Sequence, residues 1–302
     1  MHPDTFEGFG KFYSKLPVNN MFLRLQMCVI FLLFNYCAFT QKPSLYFERL
    51  TTQNGLSNNK VNCFIQDQRG FMWIGTNDGL NRYDGQYFTF FRKQQDNGSG
   101  LSGNIITDLV EDKKGILWIA TADGGLTKYD YRQPPAHQFR QYKHQVSDSN
   151  SIPDNIITCL LLDTKGYLWL GTGGNYVVRF NPVTEIFETP VKEGTKTIQA
   201  LSMDKNGIIW VGRAGGSILK INPDNLSYEM DSRYDDLYAK LPHATVTAIF
   251  SDKEKNLWYG SWDKVLYRYN SSSGKEEKFQ QGKKPFSFDS DEILGFTEDT
   301  SG

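Results

Sequence analysis

The residues best suited to chemistry in this chain are carboxylates at a regular interval. Asp67, Asp112, Asp163, Asp204 and Asp252 each precede a segment carrying a tryptophan. A carboxylate can act as general base, metal ligand or turn cap, and the pattern decides among them. Four of the five open Asp-x-x-Gly strings: Asp67–Gly70, Asp112–Gly115, Asp163–Gly166 and Asp204–Gly207. Asp first and Gly fourth suit a type I turn, where the carboxylate accepts backbone N–H bonds. One carboxylate at one place in every repeat reads as a cap, not as an acid–base pair. The fifth copy has Lys255 in the glycine's place, so a different turn is expected there. Arg82, Lys128, Arg179, Lys220 and Arg268 recur as a basic row. They are expected to pair with charge on a neighbouring repeat. No phosphate loop, H-E-x-x-H or C-x-x-C pair occurs, so no cofactor and no metal is expected. Cys63 and Cys159 share one repeat position two repeats apart, too distant for a bridge, and are expected to be free core thiols.

The elements that must position these residues are strands. DKKGILWIATADGGLTKYD from Asp112 recurs as DQRGFMWIGTNDGLNRYD, DTKGYLWLGTGGNYVVRFN, DKNGIIWVGRAGGSILKIN and DKEKNLWYGSWDKVLYRYN. The tryptophans Trp73, Trp118, Trp169, Trp210 and Trp258 are spaced by 45, 51, 41 and 48 residues, a period typical of propellers and solenoids. Each copy starts with a short apolar run (VNCFIQD, ITDLVED, ITCLLLD, IQALSMD, VTAIFSD), bounded by turn residues as strands are. The tryptophan-bearing run is apolar nearly throughout, as when both faces are covered. A short hairpin turn leads to an alternating third strand, and a weaker fourth follows at YFTFF, QFRQY, EIFET and LSYEM. Four antiparallel strands, repeated radially, make a propeller blade. The fold class is therefore all-β, a β-propeller with blade cores near 61–91, 106–142, 157–189, 198–230 and 246–280. EILGFTEDTSG begins a sixth with Asp299 at its turn. Five full blades and the start of a sixth would form an incomplete ring. Its open faces and strand edges are expected to make the chain associate.

Residues 1–20 follow no period and read as an N-terminal extension. Residues 21–40 hold Arg24 and then an apolar run of about fifteen residues, the profile of a secretory signal peptide, leaving 41–302 as the propeller. Ser44–Leu50 is expected to form an isolated strand. With 33 Lys and Arg against 34 Asp and Glu, the chain lacks the basic field that nucleic acid would require.

On these residues the repeat resembles the two-component-regulator propeller family. That family's pattern is an apolar strand, D-x-x-G-x-L-W-I-G-T, a Gly hairpin and L-x-R-Y-D; GLSNNKV and SIPDNII are similar to its inter-blade loops. The match runs from Leu45 to Gly302. The resemblance implies a periplasmic sensor region of a hybrid histidine kinase, sensing oligosaccharides. Its implied partners are further propeller, immunoglobulin-like, membrane and kinase modules of a parent protein, and a second copy in a homodimer. This chain carries no kinase motif.

Departures from the repeat mark the candidate ligand site. The turn after the second strand reads Asn77-Asp78-Gly79 in the first copy and Asp123-Gly124 in the second. It becomes Asn175-Tyr176 in the third, Arg213 in the fourth and Trp262-Asp263 in the fifth. In an up-and-down blade this turn shares a face with the loop entering the first strand, where His243 lies. Trp262, Asp263, Tyr176, Asn175, Arg213, Asn77, Asp78, Asp123 and His243 are thus the candidate ligand-binding residues. Aromatic rings offer flat surfaces to sugar C–H faces, and Arg and Asp supply oriented hydrogen bonds. A competing enzyme reading would pair Asp78, Asp123 or Asp263 as hydrolase carboxylates, or use His243 as a lyase base. A protein-interaction scaffold is the third reading.

Overall fold

Apolar runs of five or six residues, closed at one end by Asp-x-x-Gly and at the other by a hairpin, fold into antiparallel meanders. A computed structural model describes residues 47–94, 100–192, 196–230, 245–262, 265–270, 273–280 and 293–298. The chain divides into Met1–Arg49 and Leu50–Gly302. Only residues 47–49 of the first unit are described, and all the described strands belong to the second.

Five four-stranded sheets, each in sequential order, account for the described strands. The first blade is β1 (Val61–Gln66), β2 (Met72–Thr76), β3 (Gly79–Tyr83) and β4 (Phe88–Phe91). The second is β5 (Ile106–Glu111), β6 (Leu117–Thr121), β7 (Gly125–Tyr129) and β8 (Phe139–Tyr142). The third is β9 (Ile157–Leu162), β10 (Leu168–Thr172), β11 (Val177–Asn181) and β12 (Ile186–Val191). The fourth is β13 (Ile198–Met203), β14 (Ile209–Arg213), β15 (Ile218–Ile221) and β16 (Tyr228–Met230). The fifth is β17 (Val246–Ser251), β18 (Asn256–Ser261), β19 (Val265–Asn270) and β20 (Lys275–Gln280). The fold is all-β and propeller-type, as the repeat predicts.

Blades stack through shared apolar clusters. Trp118, Leu126 and Tyr142 of the second blade pack with Leu168, Leu170 and Phe180 of the third. Trp73 and Leu80 pack with Leu117 and Ile119 in the same manner. A glycine in the second strand admits the next blade. A Cβ on Gly75 would lie 2.6 Å from Ile106 Cγ2, and one on Gly171 2.6 Å from Ile198 Cγ2. Polar stitches run beside these contacts. Asn62 Nδ2 donates to Ile106 O (2.7 Å), Thr107 Oγ1 to Ile157 O (2.7 Å) and Thr158 Oγ1 to Ile198 O (2.6 Å). Thr247 Oγ1 donates likewise to Ile293 O at 2.6 Å, so residues 293–298 lie against the fifth blade where a following first strand would. On the other side, Phe64 of β1 is 71% exposed, whereas its counterparts Leu109, Leu160 and Ile249 are buried.

Three expectations need correction. Lys255 does not change its turn: it adopts φ 67° and its amide donates to Asp252 O at 3.1 Å, as the glycines do elsewhere. The flanking strands fix the turn, and the side chain tolerates it. The basic row pairs within its own blade and not chiefly with a neighbour. Cross-strand register sets Arg82, Lys128, Arg179, Lys220 and Arg268 opposite the blade tryptophans. The cations lie 5.3–6.0 Å from those ring centroids. Arg179, Lys220 and Arg268 also meet Glu188, Glu229 and Glu277 on their own fourth strands. Arg179 also reaches across, donating to Pro223 O at 2.7 Å. Of Ser44–Leu50, residues 47–50 are not strand and the rest lie outside the described residues. So do residues 21–40, expected to be a signal peptide, and Asp299–Gly302.

Candidate ligand face

The hairpin turns after the second strands form one face with the loops entering the first strands, and backbone bonds establish this. Asn77 N donates to Lys60 O, Ala122 N to Ile105 O, Gly173 N to Ile156 O, Ala214 N to Thr197 O and Trp262 N to Thr245 O, at 2.8–3.3 Å. The turns also reach the next blade: Gly79 N donates to Asn104 O (2.7 Å) and Gly125 N to Asn155 O (2.8 Å). Asn59, Asn104 and Asn155 hold the entering loops, accepting from the amides of Thr52, Lys93 and His144 at 2.8–2.9 Å.

On this frame the sequence-predicted residues fall into two groups. In the first two blades the turn side chains are consumed by the fold. Asn77 Oδ1 accepts from Asn62 Nδ2 at 2.8 Å. Asp78 pairs with Arg92 at 2.7 Å. Asp123 accepts the amides of Asn104 and Ile105, both at 3.1 Å. In the later blades the residues at these places differ in kind. Asn175 takes φ 75°, which swings Tyr176 against the cluster around Trp118 and Phe180, its ring half-buried. Arg213 stands where the other blades carry Thr76, Thr121, Thr172 and Ser261. Those hydroxyls donate to a carbonyl across the hairpin at 2.9–3.4 Å. Arg213 is 6% exposed, and its Nε donates to Ser217 Oγ at 2.8 Å. Trp262 is 56% exposed and stacks on no ring among the described residues. Asp263 and His243 lie outside the described residues. All the described candidates therefore sit at one end of the strands, spread over five blades.

One group escaped the sequence reading. Asp108 occupies the first-strand position that holds Cys63, Cys159, Ala200 and Ala248 in other blades. Its carboxylate accepts from Leu160 N of the next blade at 2.7 Å and from its neighbour Leu109 N at 2.8 Å. Burial raises its pKa to about 6, against the lowering effect of those two amides. Both cysteines are free. Burial first, and the Asp108 charge second, push the Cys159 thiol up to about 12 and the Cys63 thiol up as well. These thiols are inert at neutral pH. The odd carboxylate among small residues was the visible signal.

Comparison with known proteins places this architecture. The two component regulator propeller pattern matches residues 55–78, 100–123 and 151–174, that is, the entering loop, first strand and tryptophan strand of three successive blades. A stretch of 71 residues, 22% of the chain, is 34% identical to histidine kinase P4 of Formosa agariphila and spans 5% of that protein. An extracellular domain assigned to a hybrid two component system of B. thetaiotaomicron superposes with a TM-score of 0.66 at 24% identity, over 76% of this chain and 31% of that one. A second such domain gives 0.63 at 21% identity, over 82% and 32%. Virginiamycin B lyase from Staphylococcus aureus gives 0.57 at 14% identity, over 74% and 71%. The structural likenesses speak to the fold alone. The chain spans about a third of the first two solved domains and a far smaller part of the kinase. The repeated sequence pattern goes further: three successive blades of this chain carry the two component regulator propeller pattern.

Proposed function

We propose that this chain is a ligand-sensing propeller from an exported, periplasmic sensor, and that it binds an oligosaccharide on the hairpin face and controls a histidine kinase elsewhere in a parent protein. The observation that carries this reading is Trp262. Five of the six tryptophans lie in the repeat, each opposite a cation of its own blade. The sixth is 56% exposed on the hairpin face, where an aromatic plane suits a sugar ring. Tyr176, Asn175 and Arg213 belong to the same hairpin region as Trp262, and Asp263 and His243 join them by sequence. Asn77, Asp78 and Asp123 frame the face, held by Asn62, Arg92 and the amides of Asn104 and Ile105.

Histidine kinase P4 and the domains of hybrid two component systems support a signalling role by likeness. A lyase-type propeller is the competing reading, because virginiamycin B lyase shares the architecture. The described histidines do not favour it. His144 Nδ1 is engaged with Ile152 O at 2.8 Å, and His137 ends a short 3₁₀ turn. Thermal-shift screening of the chain against an oligosaccharide panel, with product analysis on each hit, separates the readings. A sensor raises the melting temperature and leaves the saccharide intact. Trp262→Ala should weaken binding of the hit about tenfold, the worth of one aromatic contact, without lowering the melting temperature. Turnover of the saccharide, or unchanged affinity in the variant, refutes the proposal.

A further inference from the structure

The opposite end of the strands holds a second feature. At two blade junctions the amide of the second residue of the aspartate turn meets the side chain at the last position of the following first-strand segment. At both, that position is a glutamate. Glu111 accepts from the Gln68 amide at 2.9 Å, and Glu298 from the Lys253 amide at 3.0 Å. At the junctions between the third, fourth and fifth blades the corresponding pairs are Thr164 with Met203 and Lys205 with Ser251. Neither amide has an acceptor among the described residues. Both junctions open into one groove of about 510 Å³, lined by these turns, Met203, Ser251 and Asn222–Asp224. That volume suits a small ligand.

Two lysines, Lys165 and Lys205, line the groove beside Asp163, Asp204 and Asp224. The carboxylates of Asp163 and Asp204 are spent on their own turns and tryptophans. Asp224 is held by Lys165, and Lys205 pairs with no carboxylate among the described residues. The same protein shows that a carboxylate is tolerated in such a place. Burial first, and the charges of Asp67 and Asp112 after it, raise the Glu111 pKa, yet its bond to Gln68 is made. Charge-assisted bonds from backbone N–H to carboxylate are stronger than neutral ones.

We propose that this groove binds a small organic dicarboxylate, whose two ends take at Thr164 and Lys205 the places that Glu111 and Glu298 fill at other junctions. The site is separate from the hairpin face and does not depend on what binds there. Calorimetric titration of the whole chain at neutral pH with succinate, glutarate, acetate and uncharged succinamide tests it. A dicarboxylate should bind about tenfold more tightly than acetate, consistent with a second charge-assisted bond, and succinamide should give no heat. Ser251→Glu restores an internal carboxylate and should lower dicarboxylate affinity at least about tenfold, while Ser251→Gln should not. Melting curves show whether each variant is folded, and Met203→Glu repeats the test at the other junction if Ser251→Glu is not. Absence of dicarboxylate binding, equal binding of succinamide, or unchanged affinity in the folded glutamate variant overturns the proposal.

Discussion

The two ends of the blades obey different rules. At the Asp-x-x-Gly end the same side chain does the same work five times. Asp67 accepts from the amides of Arg69 and Phe71 and from Trp73 Nε1, all at 2.9 Å. Asp163 does so with Lys165, Tyr167 and Trp169, and Asp112, Asp204 and Asp252 follow, with tryptophan contacts of 2.7–3.4 Å. At the hairpin end the turn is closed by backbone bonds to the entering loop, whatever the side chains are. A turn held by its side chain must keep that side chain; a turn held by backbone is free to vary. Tyr176 and Trp262 show that freedom in use. That is the physical reason for placing ligand recognition on the hairpin face.

The largest effect should come from breaking the constrained end. Asp163→Ala strips acceptors from two turn amides and from the buried Trp169 indole. Leaving such donors unpaired costs about 1–3 kcal/mol each for the buried ones, so a loss of about 3 kcal/mol is expected in urea unfolding. Asp123→Ala, at the hairpin end, removes two bonds to exposed amides and should cost about 1 kcal/mol. Equal losses at the two ends would break the comparison.

A smaller effect is expected midway along the strand, at Asp108. Its folded pKa, raised to about 6 by burial, lies above the ordinary value of 3.8. The folded state therefore holds the proton more tightly, and this carboxyl's ionisation destabilises the fold progressively between about pH 4 and 6 as pH rises. Asp108→Asn keeps an acceptor for the Leu160 amide and removes the charge. It should stabilise the protein by about 1–2 kcal/mol at pH 7 and by little at pH 4. A variant equally stable relative to wild type at both pH values would contradict this.

The smallest is at Lys255, whose φ of 67° is costly for any residue with a Cβ. Lys255→Gly should gain about 1 kcal/mol, read as a higher urea midpoint. No gain would mean that the Lys255 side chain offsets the strain.

Much of this was legible in the sequence because a repeat states its structure several times. Strand order, the capping aspartates and the free cysteines follow from position alone. The basic row was misread because sequence order hides cross-strand register: Arg82 lies nine residues past Trp73 yet directly opposite it. Lys255 was misread because residue preference was weighed above the geometry of the flanking strands. Asp108 was visible as the odd member of a small-residue position, but its environment depends on the Leu160 amide of another blade. Met203 and Ser251 in the place of Glu111 carry meaning only once Glu111 is seen to meet Gln68. The hairpin residues are proposed from their departure from consensus, and the backbone bonds at the turns are compatible with those departures.

The central claim is that the hairpin face, through Trp262, meets the ligand. Tryptophan emission tests it directly, since Trp73, Trp118 and Trp169 are sealed in the blades while Trp262 is exposed. Titration with a saccharide that raises the melting temperature should shift the emission to the blue, and Trp262→Phe should abolish the shift while leaving the remaining emission in place. A ligand that raises the melting temperature without touching the Trp262 emission would contradict the account.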